Sequence, residues 1–404
     1  MAGDCALNKV PKVKMVREEL FRAPRLPAGQ DICDLFTFEI GKATFLLITT
    51  LCQDRTQAGL NRLFRLSHQS FDPEPILTLE MHHPRNVALG PESSQGRWLW
   101  IADHGLDAPP FPGGHCSLYW ISESGAVEEK TDPLLEALAF SFDGCIWEDP
   151  KARHTYLYQS NIGSVSPRLF RWKNRGDELE DLSTALPQNL LSRKDRYLVS
   201  RLLEVDSEAA YLFLGGDYSC PSQTPLATDA IMKIPFDGPV QLNMEATPPR
   251  MRANTWSTVE ALTFDQGPEK ALLTITHDFG FKEGFAEILV LQNNQRLKRH
   301  RHALPLPSLA GKETWISRAA IGDWDKDGQK DFVFYLRASA GSFNDSLNNL
   351  FLLRQHTNGP MEFIECVDRG FSSHFVGGFF VENELFQLRY DGVCEHTRFV
   401  PAEL

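Results

Sequence analysis

Hydrophobic and polar residues alternate with a period of two along most of the chain. Apolar runs of about five to eight residues are separated by polar turns, a pattern typical of β-strands. The clearest runs come in pairs across a polar loop of about 10 to 17 residues. The pairs are ATFLLITT with NRLFRL, GRWLWIAD with CSLYWI, HTYLYQS with PRLFRW, AAYLFLGG with AIMKI, KALLTITH with AEILVL, KDFVFYL with NNLFLL, and NELFQLRY with HTRFV. We therefore predict an all-β chain of seven similar units.

These units recur at a regular spacing. A polar residue near the start of the first strand of each unit provides a frame, and successive frame residues are 51, 58, 58, 59, 58 and 56 positions apart. A repeat of about 50 to 60 residues with four strands is typical of a β-propeller blade. The sequence predicts a single seven-bladed β-propeller domain over residues 1–404. We expect its blades to start near residues 31, 83, 139, 197, 256, 315 and 371.

The last unit has no sequence left for its outer strand. Residues 10–20, VPKVKMVREEL, have a strand-like alternation and no other partner. We therefore expect this N-terminal strand to complete blade seven, which removes an exposed sheet edge. A short helix or turn is expected within residues 179–191.

Composition and charge restrict the partners. The formal net charge of -12 argues against nucleic acid, since binding to phosphates requires a basic surface. The longest apolar run is far shorter than the ~20 residues of a membrane span, so no membrane association is predicted. The first residues lack the apolar core of an export signal, and the eight cysteines form no CxxC pair. We expect a cytoplasmic protein with reduced thiols.

An acidic loop occurs once, in the sequence IGDWDKDGQKDFVFY of residues 321–335. Its four carboxylates belong to Asp323, Asp325, Asp327 and Asp331. Oxygen ligands at this spacing, with Gly328 allowing a sharp turn, favour a structural calcium ion, and an acidic turn without metal is the alternative. An EF-hand is disfavoured because Phe334 occupies the position that requires a bidentate glutamate.

This loop resembles the DxDxDGxxD loop of the FG-GAP and VCBS β-propeller families, which lies between the first two strands of a blade and holds calcium. The segments HPRNVALG and WLWIADHGLDAPPFPGG are similar to a VCBS-type blade. In blades two and three, GPESSQGR and WEDPKARH replace the acidic loop, so these blades are expected to lack calcium. The resemblance implies a propeller fold and suggests carbohydrate binding or surface recognition. It does not specify an activity.

The inner strands of a propeller line its channel, so the frame residues should form a ring. Six of them carry formal charges of alternating sign. The ring consists of Asp34, Arg85, Asp143, Arg201, Glu260, Arg318 and His374. It is either a self-neutralising plug of salt bridges or a polar pocket in which arginines clamp a substrate oxygen and Glu260 or His374 moves a proton.

The long loops between second and third strands should surround the mouth of the channel. Their polar and aromatic side chains suit a ligand pocket, although ordinary solvated loops are the alternative. We predict substrate contacts from Asp34 and Asp143 of the ring and from Asp103, His104, Tyr218, His277, Phe279, Phe281 and Phe343.

Motifs for organic cofactors are missing from the sequence. There is no HExxH, GxSxG or P-loop, and no GxGxxG follows a strand. We therefore predict a cofactor-independent enzyme of lyase, cyclase or isomerase type. Arg85, Arg201 and Arg318 would hold an oxygen-bearing small-molecule substrate, with Phe279 and Phe281 covering its apolar part. The alternative is a carbohydrate-binding, lectin-like or protein-interaction propeller whose partner is a glycan or a protein.

Overall fold

A computed structural model describes the chain between residues 12 and 401. The description omits residues 53, 55, 68–69, 72–73, 83, 92, 94, 104, 106–113, 115, 131, 133, 135–140, 162–165, 174–177, 192–196, 217–228, 245–255, 267–268, 279–283, 293–295, 304–313, 339–349, 356–361, 367–374 and 390. Contacts divide the chain into two compact units. Arg25–Ser308 forms a five-blade unit, and Met1–Pro24 with Leu309–Leu404 forms a two-blade unit.

The five-blade unit contains five antiparallel sheets in chain order. Blade one consists of β2 (Gln30–Ile40), β3 (Ala43–Cys52), β4 (Gly59–Ser67), the short β5 (Ser70–Phe71) and β6 (Leu77–Met81). Blade two consists of β7 (Pro84–Leu89), β8 (Arg97–Asp103), β9 (Cys116–Ile121) and β10 (Val127–Lys130). Blade three consists of β11 (Ser141–Glu148), β12 (Thr155–Asn161), β13 (Arg168–Lys173) and β14 (Glu178–Asp181). Blade four consists of β15 (Tyr197–Val205), β16 (Ala209–Gly216), β17 (Ala230–Pro235) and β18 (Gln241–Met244). Blade five consists of β19 (Trp256–Gln266), β20 (Glu269–Asp278), β21 (Gly284–Gln292) and β22 (Arg296–Ala303).

The two-blade unit holds the remaining two sheets. Blade six consists of β23 (Thr314–Gly322), β24 (Asp331–Ala338), β25 (Leu350–Arg354) and β26 (Glu362–Cys366). Blade seven consists of β27 (Phe375–Val381), β28 (Glu384–Arg389), β29 (Val393–Pro401) and β1 (Lys12–Arg22). Strand β1 runs antiparallel to β29, from the pair Val13 and Pro401 to the pair Arg22 and Val393. Its first residues also pair in parallel with β26 of blade six.

The predicted fold class is confirmed: the chain is all-β, has seven propeller blades, and completes its last blade with the N-terminal strand. The predicted helix or turn region holds β14, a 3-10 helix (Ser183–Ala185) and a one-turn helix α1 (Gln188–Leu191). Among the described residues, every helix is too short or too polar to cross a lipid bilayer.

Neighbouring blades pack large aromatic side chains against small residues of the next first strand. A Cβ atom added to Gly144 of β11 would lie 2.7 Å from the Trp100 ring of blade two. In the two-blade unit, a Cβ atom on Gly378 of β27 would lie 1.9 Å from the Tyr335 hydroxyl oxygen of blade six. Both aromatic residues are almost completely buried. Glycine is required at these positions because the adjoining blade occupies the space of a side chain.

Candidate functional site

Each first strand carries a bulge at the same place, and this bulge provides a structural frame for comparing the blades. The pairing of each first strand with its second strand skips one residue near the N-terminal end of the first strand. The residues immediately after the skipped position are Asp34, Asn86, Asp143, Val199, Glu260, Arg318 and Gly377. Bulges redirect side chains and are common beside functional sites.

Four predicted ring residues occupy this position directly after the bulge: Asp34, Asp143, Glu260 and Arg318. Two others, Arg85 and Arg201, were wrongly predicted to be equivalent to them. Arg85 is the skipped residue itself, one position early, and Arg201 lies two positions late. Strand β15 also has a second bulge, between Leu202 and Glu204, which adds one residue between its first bulge and the following turn. His374 lies outside the described residues. The residues directly after the bulges therefore do not carry charges of alternating sign from one blade to the next.

Asp143 is the best-defined polar group of the frame. Its side chain is 0% exposed. Its Oδ1 accepts a hydrogen bond from the Gly144 N–H at 2.7 Å, and its Oδ2 accepts one from the Ser200 N–H of blade four at 2.8 Å. The backbone of two blades thus fixes this carboxylate before any side chain contributes.

Arg201 connects three consecutive blades of the five-blade unit. Its guanidinium donates to Asp143 Oδ2 at 2.5 Å and to its neighbour's carbonyl, Ser200 O, at 2.6 Å. Its Nε donates to Ala261 O of blade five at 2.6 Å. The Arg201 side chain nevertheless remains 18% exposed. It is therefore rigidly held, and part of its surface remains accessible.

The electrostatics of this pair reflect its burial. Burial raises the pKa of Asp143, and the Arg201 guanidinium and the Ser200 and Gly144 N–H groups oppose that rise. Burial, with a smaller contribution from Asp143, also raises the pKa of the adjacent Cys145 thiol to about 12. Cys145 is therefore a neutral thiol near pH 7 and is not an activated nucleophile.

Asp34 repeats part of the Asp143 geometry in blade one. Its Oδ1 accepts a hydrogen bond from the Leu35 N–H at 2.8 Å, as Asp143 does from the residue after it. Asp34 is 8% exposed. The aspartates of blades one and three therefore accept the same hydrogen bond from the backbone N–H of the next residue. Asp143 also accepts a hydrogen bond from Arg201.

Among the predicted loop residues, Asp103 has its side chain within the described part of the chain. It is 0% exposed, and its carboxylate accepts hydrogen bonds from the N–H groups of His82 at 3.1 Å and Gly105 at 3.0 Å. These contacts hold the end of β8 against the entrance to β7. His104, Tyr218, Phe279, Phe281 and Phe343 lie outside the described residues. The backbones of Arg85, Glu260 and His277 lie in strands, but their side chains are outside the described part of the chain.

The acidic loop lies in the hairpin between β23 and β24, within the two-blade unit. Carboxylate oxygens of Asp323, Asp325 and Asp327 lie within 4.8 Å of one another. Asp323 accepts hydrogen bonds from the N–H groups of Asp327 and Gly328, both at 3.0 Å. Gly328 has a φ of +87°, which favours glycine. The loop therefore folds around its own carboxylates.

Asp331 is the fourth carboxylate of this loop. It is 0% exposed, its Oδ1 accepts a hydrogen bond from the Gln355 N–H at 3.0 Å, and its buried Oδ2 has no hydrogen-bond partner among the described residues. Burial, followed by the charges of Asp325 and Asp327, raises the pKa of Asp331 to about 7. The N–H groups of Gln355 and Trp324 oppose this rise. A buried carboxylate beside two further carboxylates fits a hard cation such as calcium.

The sequence did not predict a groove between blades two and three. The groove has a volume of about 800 Å³ and includes Trp98, Trp120 and Glu128 of blade two and Glu148 and Arg153 of blade three. The two indole rings meet edge to face, with centroids 4.9 Å apart. Both tryptophans are partly exposed. The signal in the sequence is the alternation in RWLW, which puts Trp98 and Trp100 on one face of β8.

No family model matches the sequence, and no curated protein matches it significantly. The relation to the FG-GAP and VCBS families therefore stays a prediction. Among solved structures, a catalytically inactive virginiamycin B lyase from Staphylococcus aureus with quinupristin is 13% identical over 96% of this chain and 100% of that chain, with a TM-score of 0.47. A Penicillium chrysogenum alpha-L-arabinanase with arabinobiose is 8% identical over 95% and 97%, with a TM-score of 0.44. BamB from Moraxella catarrhalis is 10% identical over 95% and 100%, with a TM-score of 0.42.

Proposed function

We propose that the protein is a cofactor-independent enzyme of lyase, cyclase or isomerase type that acts on a small polar molecule. The reaction site would lie at the bulged ends of the first strands in the five-blade unit. One observation carries the proposal: Arg201 is fixed across three blades yet keeps 18% of its side chain exposed, beside a fully buried carboxylate. Preorganised cationic donors of this kind stabilise oxygen atoms that become negative during a reaction.

In this proposal Arg201 is the group that contacts substrate. Its guanidinium polarises a carbonyl or carboxylate oxygen, which makes a proton on the adjacent carbon more acidic. Asp143 is fully buried, so it acts as a positioning residue that holds the guanidinium in place. This differs from the direct substrate contact predicted from sequence for Asp143.

Glu260 is proposed as the proton carrier, as the sequence suggested. It follows the bulge of β19 and directly precedes Ala261, whose carbonyl accepts the hydrogen bond from Arg201. In a dehydration, the Glu260 carboxylate takes a proton from carbon, the released electron pair forms a double bond, and the departing hydroxyl leaves with that proton as water. The carboxylate is regenerated, so this step needs no redox partner.

The test uses purified protein and pools of small hydroxy acids and carbonyl compounds, analysed by mass spectrometry for loss of water or for isomers. We expect turnover of at least one compound. Arg201→Lys should reduce kcat at least tenfold because a single ammonium cannot reproduce the forked guanidinium contacts. Glu260→Gln should abolish turnover and leave binding intact. Arg168→Lys, in a half-exposed pair with Asp181 on blade three, is the matched control and should keep full activity. Full activity of a folded Arg201→Lys variant would show that the pair is only structural.

Carbohydrate binding is the second candidate function. The partly exposed tryptophans of the groove between blades two and three favour it. Binding without turnover, and insensitive to Arg201→Lys, would support this candidate over the enzyme. The protein-interaction alternative has no comparable support among the described residues.

We also propose that the acidic loop holds a structural calcium ion. Asp323, Asp325, Asp327 and Asp331 would supply its oxygen ligands. The grouping of the first three carboxylates within 4.8 Å and the buried Oδ2 of Asp331 support this. The ion would stabilise the hairpin of blade six, since these carboxylates otherwise repel one another. Calcium titration calorimetry on the wild type and on Asp331→Asn tests it: binding is expected for the wild type, with a large loss of affinity in the variant.

A further inference from the structure

The groove between blades two and three is formed by a straight row of side chains. Trp98 of β8 pairs with Trp120 of β9, and Trp120 pairs with Glu128 of β10. Directly paired residues of neighbouring strands point to the same face of a sheet. Two indole rings and one carboxylate therefore line blade two along the groove. Blade three contributes Glu148, Arg153 and the apolar Ile146 to the same groove.

Four of the five charged side chains that line this groove form ion pairs with one another, and the fifth, Arg97, is held by backbone carbonyls. Glu128 forms an ion pair with Lys130, and Glu148 forms one with Arg153. Arg97 donates to Gly90 O at 2.6 Å and to Glu39 O at 3.2 Å. An ionic ligand would have to break one of these contacts and find a new partner for the group it displaced. The groove thus favours a ligand that is polar but uncharged.

The aromatic row adds a second requirement. The face of an indole ring carries partial negative charge and attracts apolar groups with weakly positive hydrogens. Pyranose rings present such C–H groups on one face and hydroxyl groups around the edge. The hydroxyls can bond to carboxylate oxygens and arginine N–H groups that retain hydrogen-bonding capacity in their ion pairs. A volume of about 800 Å³ lies within the range of small-molecule sites and accommodates a ligand of about two sugar rings.

We infer that this groove binds a neutral saccharide. Trp98 and Trp120 supply the stacking surface, and Glu128 orients the hydroxyls. The groove lies near the C-terminal ends of β7 and β11, whereas Asp143 and Arg201 are supported by the bulged N-terminal ends of first strands. The inference deepens the second candidate function and is independent of the proposed enzyme site, so either can fail alone.

Maltose, cellobiose and lactose are the neutral probes, with digalacturonate as the charged comparison. Calorimetry and saturation-transfer NMR should detect binding of at least one neutral disaccharide, with the strongest transfer to ring protons of one sugar face. Trp98→Ala and Trp120→Ala should each weaken binding at least tenfold, and the corresponding phenylalanine variants should retain most of it. The phenylalanine variants also address folding, because near-UV circular dichroism can verify that their blades remain packed.

Glu128→Gln should weaken binding by about three- to tenfold, because a carboxylate accepts stronger hydrogen bonds than an amide. Its control is Glu178→Gln, which changes an exposed glutamate on the outer strand of blade three, outside the groove. That control should leave binding unchanged. The inference is overturned if no neutral disaccharide binds, if both folded alanine variants bind as the wild type does, or if digalacturonate binds more tightly than the neutral sugars.

Discussion

Blades three and six differ in the hairpin that joins their first two strands. In blade three, Asp149 accepts hydrogen bonds from the N–H groups of Lys151 at 2.7 Å and Ala152 at 3.1 Å, and Arg153 forms an ion pair with Glu148. In blade six, Asp323 accepts two backbone hydrogen bonds in the same way. Both hairpins therefore begin with an aspartate that organises the turn.

The difference lies in where the positive charge comes from. The blade three hairpin contains its own cation, since the Arg153 guanidinium contacts Glu148. The blade six hairpin adds carboxylates, and Lys326, one of its two lysines, donates to Glu384 of blade seven at 2.7 Å. Arg354 of β25 forms an ion pair with Asp325 at 3.4 Å and partly neutralises this loop. The proposed ion from solution would neutralise the remaining carboxylates. The same backbone position thus supports an internally neutralised turn or a proposed metal site.

Calcium removal gives the largest expected effect. A ligand at about 100 times its dissociation constant stabilises a protein by about 2.7 kcal/mol. At roughly 2 to 4 °C per kcal/mol, chelation should lower Tm by ~5 to 10 °C. Differential scanning fluorimetry with EDTA, followed by excess calcium, measures the fall and its recovery. An unchanged Tm would mean that blade six neutralises its carboxylates without a metal and would remove the contrast with blade three.

A basic side chain introduced into the acidic loop of blade six tests whether it can replace the proposed calcium ion. Asp327→Lys removes one exposed carboxylate and supplies an ammonium within the loop. We expect this variant to lose most of its response to chelation, with a Tm between those of the calcium-loaded and chelated wild type. Asp265→Lys, at an exposed acidic position of blade five, is the control and should respond to EDTA as the wild type does. A full chelation response in Asp327→Lys would contradict this account.

The hairpin of blade four is organised by a single aspartate, Asp206, and we expect its contribution to stability to depend on pH. Burial alone would raise the pKa of Asp206, but the N–H groups of Glu208 and Ala209 and the Tyr211 hydroxyl lower it overall. A lowered pKa in the folded state stabilises the protein above the unfolded pKa, near 4, and this contribution is lost as the pH falls through the folded value. Asp206→Asn should therefore cost about 1 kcal/mol at pH 7 and less at pH 3. Urea midpoints at both pH values check this, and an equal cost at both would contradict it.

Removing the cation of blade three gives the smallest expected effect. The Arg153 side chain is 56% exposed, so solvent screens its ion pair. Arg153→Ala should reduce the free energy of unfolding by less than about 1 kcal/mol, as for other surface ion pairs. Urea denaturation measures the change, and the response of Tm to chelation should match that of the wild type. A much larger loss would show that the blade three turn depends on Arg153 for its fold.

The sequence predicted the strands well because burial leaves a period-two pattern, and predicted the closure of blade seven because one strand lacked a partner. The frame position of Arg201 was wrong in part because the second β-bulge of β15 adds a residue without changing the kinds of residue around it. Arg85 was one position early because nothing in the sequence distinguishes the skipped residue of the shared bulge from the residue after it. The groove was missed because Trp98, Trp120 and Glu128 become neighbours only through strand register. Register is the pairing between residues of two separate strands. The pattern of residues along one strand does not determine it.

The pairing of β1 with β29 has a consequence for the order of folding during synthesis. Val13 finds its partner at Pro401, so almost the entire chain must be translated before this contact forms. At about 5 to 20 residues per second, β1 waits roughly 20 to 80 s. The blades of the five-blade unit can complete their sheets during that interval, since their strands pair locally along the chain. Charged residues among the apolar ones of β1, such as Lys14, Arg17 and Glu18, keep this strand polar during that interval.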